Sequence, residues 1–290
     1  MRKLSAGARF RSLLAKDIVV MPGVFNAITA QLAEQAGFDA LYLSGAGVTN
    51  SLTGFPDIAL LTLTEMAQQA RYVTQATSLP VIADADTGYG EALNVARTVR
   101  EMELAGLAGI HLEDQVAPKR CGHLEGKQVI PAEEMVKKVR AAVRARNDPD
   151  FLVIARTDAR AVNGLEDAIT RALYYLEAGA DAIFPEALRA PEEFEEFARR
   201  VPAPLLANMT EFGQTPYLSA QDFARMGYAM VIFPMTAFRV MMKAAEEAYA
   251  ELKRAGTQTA LLHRMQTRQE LYTLLRYAEY ERLDQEAAGH

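Results

Sequence analysis

Short runs of apolar and β-branched residues recur along the chain, each followed by a longer stretch with the apolar spacing of a helix, and Gly, Pro or Asp marks most joins. The runs predict eight strands, at 18–24, 40–45, 81–86, 109–114, 152–158, 182–186, 205–210 and 230–235. Between them the spacing predicts helices over 26–36, 64–77, 92–105, 132–145, 165–178, 190–200 and 220–226. Several of these close on Ala-Gly, as at Gly37, Gly106 and Gly179, where a glycine just past the last turn ends a helix without strain.

Most strand runs are continuously apolar rather than alternating, as parallel strands covered by helices should be. Eight such units predict an α/β fold, a closed (β/α)₈ TIM-type barrel formed by a single domain over 1–290. An open doubly wound sheet gives a similar pattern, but no GxGxxG follows the first strand, which argues against a dinucleotide site. After the eighth strand comes more helix than one closing element requires, 236–256 and 261–287. Residues 240–290 are therefore expected to form a C-terminal helical tail that packs on a neighbouring subunit.

Composition narrows the function classes. The chain has 290 residues, half of them hydrophobic and 23% charged, with 31 Lys+Arg against 37 Asp+Glu for a net charge of −6. Without a basic cluster, nucleic acid is not the expected partner. No stretch approaches the ~18 apolar residues of a membrane span, and the five basic residues within 1–18 precede no signal-type apolar segment, so a cytoplasmic protein with no membrane partner is expected. A single cysteine, Cys121, excludes an intramolecular disulfide and suits a reducing compartment.

In a barrel the active site gathers at the carboxyl ends of the strands. Here those ends are densely polar: Ser44, Asp84 and Asp86, Glu113 and Asp114, Arg156 and Asp158, Glu186, Asn208 and Thr210. Buried unpaired carboxylates are costly, so a bound cation is the natural partner. In ADADTG at 83–88, Asp84 and Asp86 lie two apart, which on a strand turns both carboxylates to one side. Hard oxygen ligands favour Mg²⁺ or Mn²⁺ over zinc. An isolated DxD is as often a helix cap with a salt-bridged strand end as a metal site, and Glu113 and Glu186 tip the balance toward metal.

Cys121 sits among Lys119, Arg120 and His123, cations expected to lower a thiol's pKa and ready it for proton exchange, in a loop flanked by Gly122 and Gly126 that suits a lid. Arg156, Arg239 and Arg268 could each fork a carboxylate, although Arg239 and Arg268 taken singly read as surface charges. The segments SGAG at 44–47 and TEFGQTP at 210–216 offer small hydroxyls and bare N–H groups to anionic oxygens.

Together these segments resemble the isocitrate lyase and phosphoenolpyruvate mutase superfamily, most closely its 2-methylisocitrate lyase branch, over nearly the whole chain. The carriers are YLSGAGV at 42–48, GFPD at 54–57, ADADTGYG at 83–90, HLEDQVAPKRCGH at 111–123, IARTDAR at 154–160, NMTEFGQTP at 208–216 and FPMTAFR at 233–239. The resemblance implies a barrel whose eighth helix is exchanged between subunits, in a homotetramer built as a dimer of helix-swapped dimers. It implies Mg²⁺ held by Asp84 and Asp86, partly through water, with Glu113 in the outer network. It assigns substrate oxygens to Ser44, Gly45, Ala46, Cys121, Gly122, Arg156, Glu186, Asn208, Thr210, Arg239 and Arg268. The implied reaction cleaves 2-methylisocitrate to pyruvate and succinate in the propionate-consuming methylcitrate cycle, with Cys121, poised by Lys119 and His123, as general acid and Arg156 neutralising developing charge. Tyr42, Asp57 and Glu186 are candidates to take the hydroxyl proton.

The cysteine loop favours a lyase over the phosphonomutases, which lack that residue. Isocitrate lyase is longer and carries a serine-rich motif where this chain reads NMTEFG. Phe184 and Ile232 are expected to line the space for the substrate methyl group. Ala46 departs from the glycine of many relatives. Isocitrate, 2,3-dimethylmalate and oxaloacetate remain alternative substrates, because one methyl group is worth only ~1–3 kcal/mol of discrimination.

Overall fold

The computed structural model describes residues 4–123 and 126–288. Arg2, Lys3, part of the cysteine loop and the outer limits of the expected domain and tail lie outside the described residues. Eight parallel strands run β1 (Val19–Val24), β2 (Leu41–Leu43), β3 (Val81–Asp84), β4 (Gly109–Glu113), β5 (Leu152–Thr157), β6 (Ala182–Pro185), β7 (Leu206–Asn208) and β8 (Met230–Phe233). They pair in the order β6-β5-β4-β3-β2-β1-β8-β7, and a parallel bridge between Ile183 and Leu205 joins the two ends, closing the barrel. The expected TIM-type fold is therefore what these residues form.

Thirteen α-helices are present among the described residues. They are α1 (Ala6–Leu14), α2 (Ala27–Gln35), α3 (Gly45–Thr53), α4 (Leu63–Ala76), α5 (Ala92–Leu104), α6 (Ala132–Ala145), α7 (Ala159–Val162), α8 (Leu165–Glu177), α9 (Pro191–Arg200), α10 (Ala220–Arg225), α11 (Thr236–Ala255), α12 (Arg268–Leu274) and α13 (Tyr277–Ala287). The strands are shorter at their carboxyl ends than the apolar runs suggest, because the polar residues there leave the ladder to form the site.

Besides the single turn of α7, two helices go beyond what the apolar spacing predicts. Ser5 caps α1 by accepting the Ala8 N–H at 3.1 Å. This helix sends Phe10, fully buried, into the barrel's inner core beside Met21, Ile82, Leu152 and Ile154. A phenylalanine so placed contributes roughly 2–3 kcal/mol of apolar burial. Gly7 lets the helix lie against the 150–151 backbone, where a Cβ would sit 2.8 Å from the Phe151 nitrogen. The other, α3, begins within SGAG, where the Ser44 hydroxyl accepts the Gly47 N–H at 3.1 Å.

Strand parity divides the barrel wall. Tyr42, Ile82, Ile154, Phe184, Leu206, Met230 and Ile232 face the inner core, and Val81, Ala83, Ile110, Val153 and Val231 face the helices. Continuing that alternation upward, Asp84, Glu113, Arg156 and Asn208 point inward and form a polar layer above the inner apolar one. The register sets Asp84 beside His111 and Glu113 beside Arg156 on neighbouring strands.

The tail is helical, as expected, but a 3₁₀ turn at Thr259–Arg264 and two short helices replace one long second segment. No residue of α11 is buried, although Phe238 meets Phe25 edge-on with ring centroids 5.3 Å apart. Val240, Met241, Met242, Tyr249 and Leu252 along it are exposed. Beside its start, Val20, Pro22, Phe38 and Phe233 line an apolar groove on the outer wall. No helix among the described residues is long and apolar enough to cross a membrane.

Candidate active site

The polar layer opens into a cavity of about 60 Å³ at the carboxyl ends of the strands. Charged and polar groups from several strands converge on it, as at a small-molecule site. Of the residues expected at the site, Ser44, Ala46, Asp57, Asp84, Lys119, Cys121, Gly122, His123, Arg156, Glu186, Asn208 and Thr210 line it, with Tyr42, Phe184 and Ile232. Gly45 lies behind, its backbone so close to Asp84 that a Cβ would meet Oδ2 at 2.6 Å. The N-terminus of α3 thus sits against the carboxylate layer, and a side chain at 45 would displace Asp84.

Asp86 arrives by a different route from the one strand alternation suggests. The strand ends at Asp84, whose Oδ1 accepts the Asp86 N–H at 2.9 Å, and Asp86 itself has φ 46°. Gly88, Tyr89 and Gly90 also have positive φ, so a tight left-handed turn folds Asp86 back beside the strand end. Its carboxylate meets Lys119 Nζ at 3.0 Å, and the same ammonium reaches Asp57 at 2.5 Å. Non-glycine residues hold such backbone angles at some cost, a feature that collects at functional sites.

One lysine serves several acids. Burial pushes Asp84 up, against Lys119, and pushes Asp86 up to about 6. Burial likewise raises Glu113 well above the usual carboxylate range, despite Arg156 Nε at 3.3 Å, and Glu113 Oε1 has no hydrogen-bond partner. Buried acids so poorly compensated suit a cation. Among the described residues no cluster of three or more His, Cys, Asp and Glu could hold a metal by itself, so a cation here would complete its shell with water and substrate oxygens. Mg²⁺ commonly binds in that way.

On the opposite wall, burial favours the neutral form of Glu186, but Arg156 and His123 outweigh it and hold the carboxyl well below its ordinary range. Arg156 Nη1 lies 3.3 Å from Glu186 Oε2, and its guanidinium lies over the Phe184 ring at 5.0 Å. His123 Nδ1 accepts the Gln214 N–H at 2.9 Å, so its proton resides on Nε2, 2.8 Å from Glu186 Oε1. Both ring nitrogens are therefore engaged.

The thiol differs from its sequence-based expectation. Burial pushes the Cys121 pKa up, and Glu186 and Asp57 add to that, while the His123 backbone hydrogen bond and Arg156 only partly oppose it. The nearby cations do not activate a thiolate, because Lys119 is spent on Asp57 and Asp86. Cys121 is a protonated thiol beside the cavity, which suits an acid rather than a nucleophile.

Not every expected residue belongs here. Asp114 points outward, where it accepts from Thr157 Oγ1 at 2.8 Å and the Tyr175 hydroxyl at 2.7 Å, tying the strand end to α8. Arg239 is half exposed at the start of α11, 3.4 Å from Glu211 and stacked over Phe212 at 5.4 Å. Arg268 is exposed on the tail and does not line this chain's cavity. His111, not among the residues expected at the site, is buried behind the cavity-lining Tyr42, its Nε2 2.8 Å from the Tyr42 hydroxyl. Burial lowers it to about 3, so the ring is neutral. A histidine at an inward position of the apolar run GIHLE is the signal that marks it.

Comparison with known proteins adds an independent line. The family model described as phosphoenolpyruvate phosphomutase matches residues 10–253. The chain belongs to that family. It is 56% identical over 283 residues to a 2-methylisocitrate lyase of Aeropyrum pernix, covering 97% of this chain and 91% of that one. With a 2-methylisocitrate lyase of Bacillus subtilis the identity is 51% over 281 residues, covering 97% and 92%. Among solved structures, 2,3-dimethylmalate lyase, a member of the same superfamily, superposes with a TM-score of 0.93 at 38% identity, covering 99% of this chain and 96% of that one. A phosphonopyruvate hydrolase of this fold was crystallised with oxalate and Mg²⁺; its TM-score is 0.87 at 31% identity, covering 97% and 98%. The family thus spans lyases and phosphorus-transfer enzymes built on one metal-supporting barrel.

Proposed function

We propose that the protein is a Mg²⁺-dependent carbon–carbon lyase that cleaves 2-methylisocitrate to pyruvate and succinate, in propionate catabolism by the methylcitrate cycle. The observation that carries this reading is the pairing of two opposed walls in one cavity. Under-compensated Asp84 stands on one side, joined to Asp86 through the Asp86 N–H and the shared Lys119 region, and a protonated Cys121 beside Arg156 stands on the other. The identity with 2-methylisocitrate lyases over nearly the full chain supports the substrate.

Asp84 and Asp86 would hold the cation, with Glu113 behind them. Bound there, Mg²⁺ would polarise the hydroxyl and carboxylate of the pyruvate half and stabilise negative charge on that oxygen as the C–C bond breaks. Of the three candidate bases, Tyr42 is a phenol that burial and Asp84 keep neutral and Glu186 is too weak a base, which leaves Asp57, lining the cavity beside Lys119. The bonding pair leaves on the succinate half, delocalised into its carboxylate. Cys121 hands that carbon a proton, and Arg156 steadies the charge. Ser44, Gly45, Ala46, Gly122, Asn208 and Thr210 would bind carboxylate oxygens around the rim, and Phe184 and Ile232 would border the methyl group.

The unburied face of α11 and the apolar groove beside it support an exchanged helix and a homotetramer. In that assembly Arg239 and Arg268 would act at a subunit boundary. The same reading assigns a cytoplasmic setting, which the lone Cys121 suits.

The experiment is product release from 2-methylisocitrate, isocitrate, 2,3-dimethylmalate and oxaloacetate, with Mg²⁺ and with a chelator. Chelator-sensitive pyruvate release, strongest from 2-methylisocitrate, is expected. Preference for 2,3-dimethylmalate, whose lyase shares this fold closely, would move the substrate and keep the site.

The metal has its own signature. A carboxyl raised in the fold binds its proton more tightly folded than unfolded. For Asp86, at about 6, metal-free stability should therefore fall as pH rises from about 4 to about 6, and level off above. A cation competes with that proton. Mg²⁺ is therefore expected to raise the Tm little at about pH 5 and most above about pH 7. Thermal unfolding at both pH values checks this, and a pH-independent shift would remove Asp86 from the metal site.

A further inference from the structure

Gly122, which follows Cys121, packs directly on the opposite wall. A Cβ at Gly122 would lie 2.5 Å from Arg156 Nη2 and 2.6 Å from Glu186 Cδ. The loop stays there although its cysteine is itself half-exposed. Its stem is secured by backbone bonds from Val116 to Gln128 and from Ile130 to Asp114, each 2.9 Å. The Gln115 amide clamps Arg120 through both its N–H, at 3.0 Å, and its carbonyl, at 2.8 Å. Beyond Arg120, one buried side chain reaches the Cys121–Gly122 turn from below. Lys127 Nζ donates to the Gly122 carbonyl and, at 2.7 Å, to Asp158 Oδ1.

Asp158 is shared. Its Oδ2 accepts from Arg156 Nε at 2.9 Å and its Oδ1 from Nη2 at 3.2 Å, while its own N–H donates to Asp114 at 2.9 Å. One rigid carboxylate therefore orients the Arg156 guanidinium directly and the Cys121 turn through Lys127. We propose that Lys127 is a positioning residue that latches the Cys121 turn to the Arg156–Asp158 pair and thereby sets the distance between the proposed acid and the charge it serves. This rests on the lyase reading for its effect on turnover, but the latch itself is a property of the loop. Breaking it frees the Gly122 carbonyl and lets the turn lift from Arg156, whose contacts to Asp158 remain.

The test is Lys127→Met in the full chain with Mg²⁺, read by Cys121 alkylation with iodoacetamide at fixed pH and by steady-state kinetics. Alkylation is expected to speed up roughly tenfold as the half-buried thiol gains access. Turnover is expected to fall about 100-fold with KM within about threefold, because a displacement near 1 Å costs that much. A merely structural lysine would change the Tm and leave both readouts in place. Wild-type alkylation, or wild-type kcat with fast alkylation, overturns the latch. Should the methionine chain fail to fold, Lys127→Ala is measured in the same two ways, and the same outcomes support or overturn the latch. If the wild type turns over none of the four acids, the lyase reading fails, and alkylation alone still decides the latch.

Discussion

Cys121→Ser is expected to lower kcat by about 10³-fold while Mg²⁺ and oxalate still bind within about threefold of wild type. The serine hydroxyl fills nearly the same space but is a far weaker acid than the thiol, so the proton transfer to the succinate carbon loses its driving force. Nothing else is disturbed: Cys121 anchors no ion pair, and the carboxylates at the proposed metal site meet Lys119 and Arg156 instead. Steady-state kinetics with calorimetric titration of Mg²⁺ and oxalate would separate the two effects. Undiminished turnover would remove the thiol from the mechanism. Loss of both turnover and binding would mean that the loop had collapsed.

Gly122→Ala is expected to reduce kcat/KM by roughly 10²- to 10³-fold with little change in Tm. The added methyl would press on Arg156 and Glu186, both buried and pinned by several partners. Neither can retreat cheaply, so the loop must. Because Gly122 has no positive φ, alanine brings no backbone strain, and the effect isolates the close approach. Substrate turnover and thermal unfolding measured side by side check it. A variant with wild-type kcat/KM would show that the turn need not seat against Arg156 for the reaction.

The alternation of apolar runs and helical stretches made the barrel legible because both periodicities are local. Each strand needs only its own run of Val, Ile, Leu and Ala, and each helix its own apolar stripe. The helix α1 escaped because Phe10 is its one large fully buried side chain, too little for a stripe. The site's residue types were legible too, since an acid or arginine directly after an apolar run has few other reasons to be there.

Their partnerships were not. Glu113 and Asp114 are neighbours in sequence, yet parity turns one into the cavity and the other toward α8. Asp86 reaches Lys119 through a left-handed turn that DxD spacing does not encode. The cations around Cys121 suggested a lowered thiol pKa, whereas Lys119 bonds acids that lie 62 and 33 positions before it, and burial pushes the thiol pKa up. Lys127 carried no signal at all, because its role depends on Asp158 and on a carbonyl five residues upstream.

The sequence by itself thus determined the fold class, the family and the chemical kinds of group at the strand ends, all of which follow from short-range pattern and from motifs. Only the tertiary structure decided which charges neutralise one another, which acids burial leaves under-compensated, and that the thiol stays protonated. Those outcomes depend on burial and on distances of a few ångströms between elements far apart in the chain, where Coulomb and desolvation energies are large and change steeply with position.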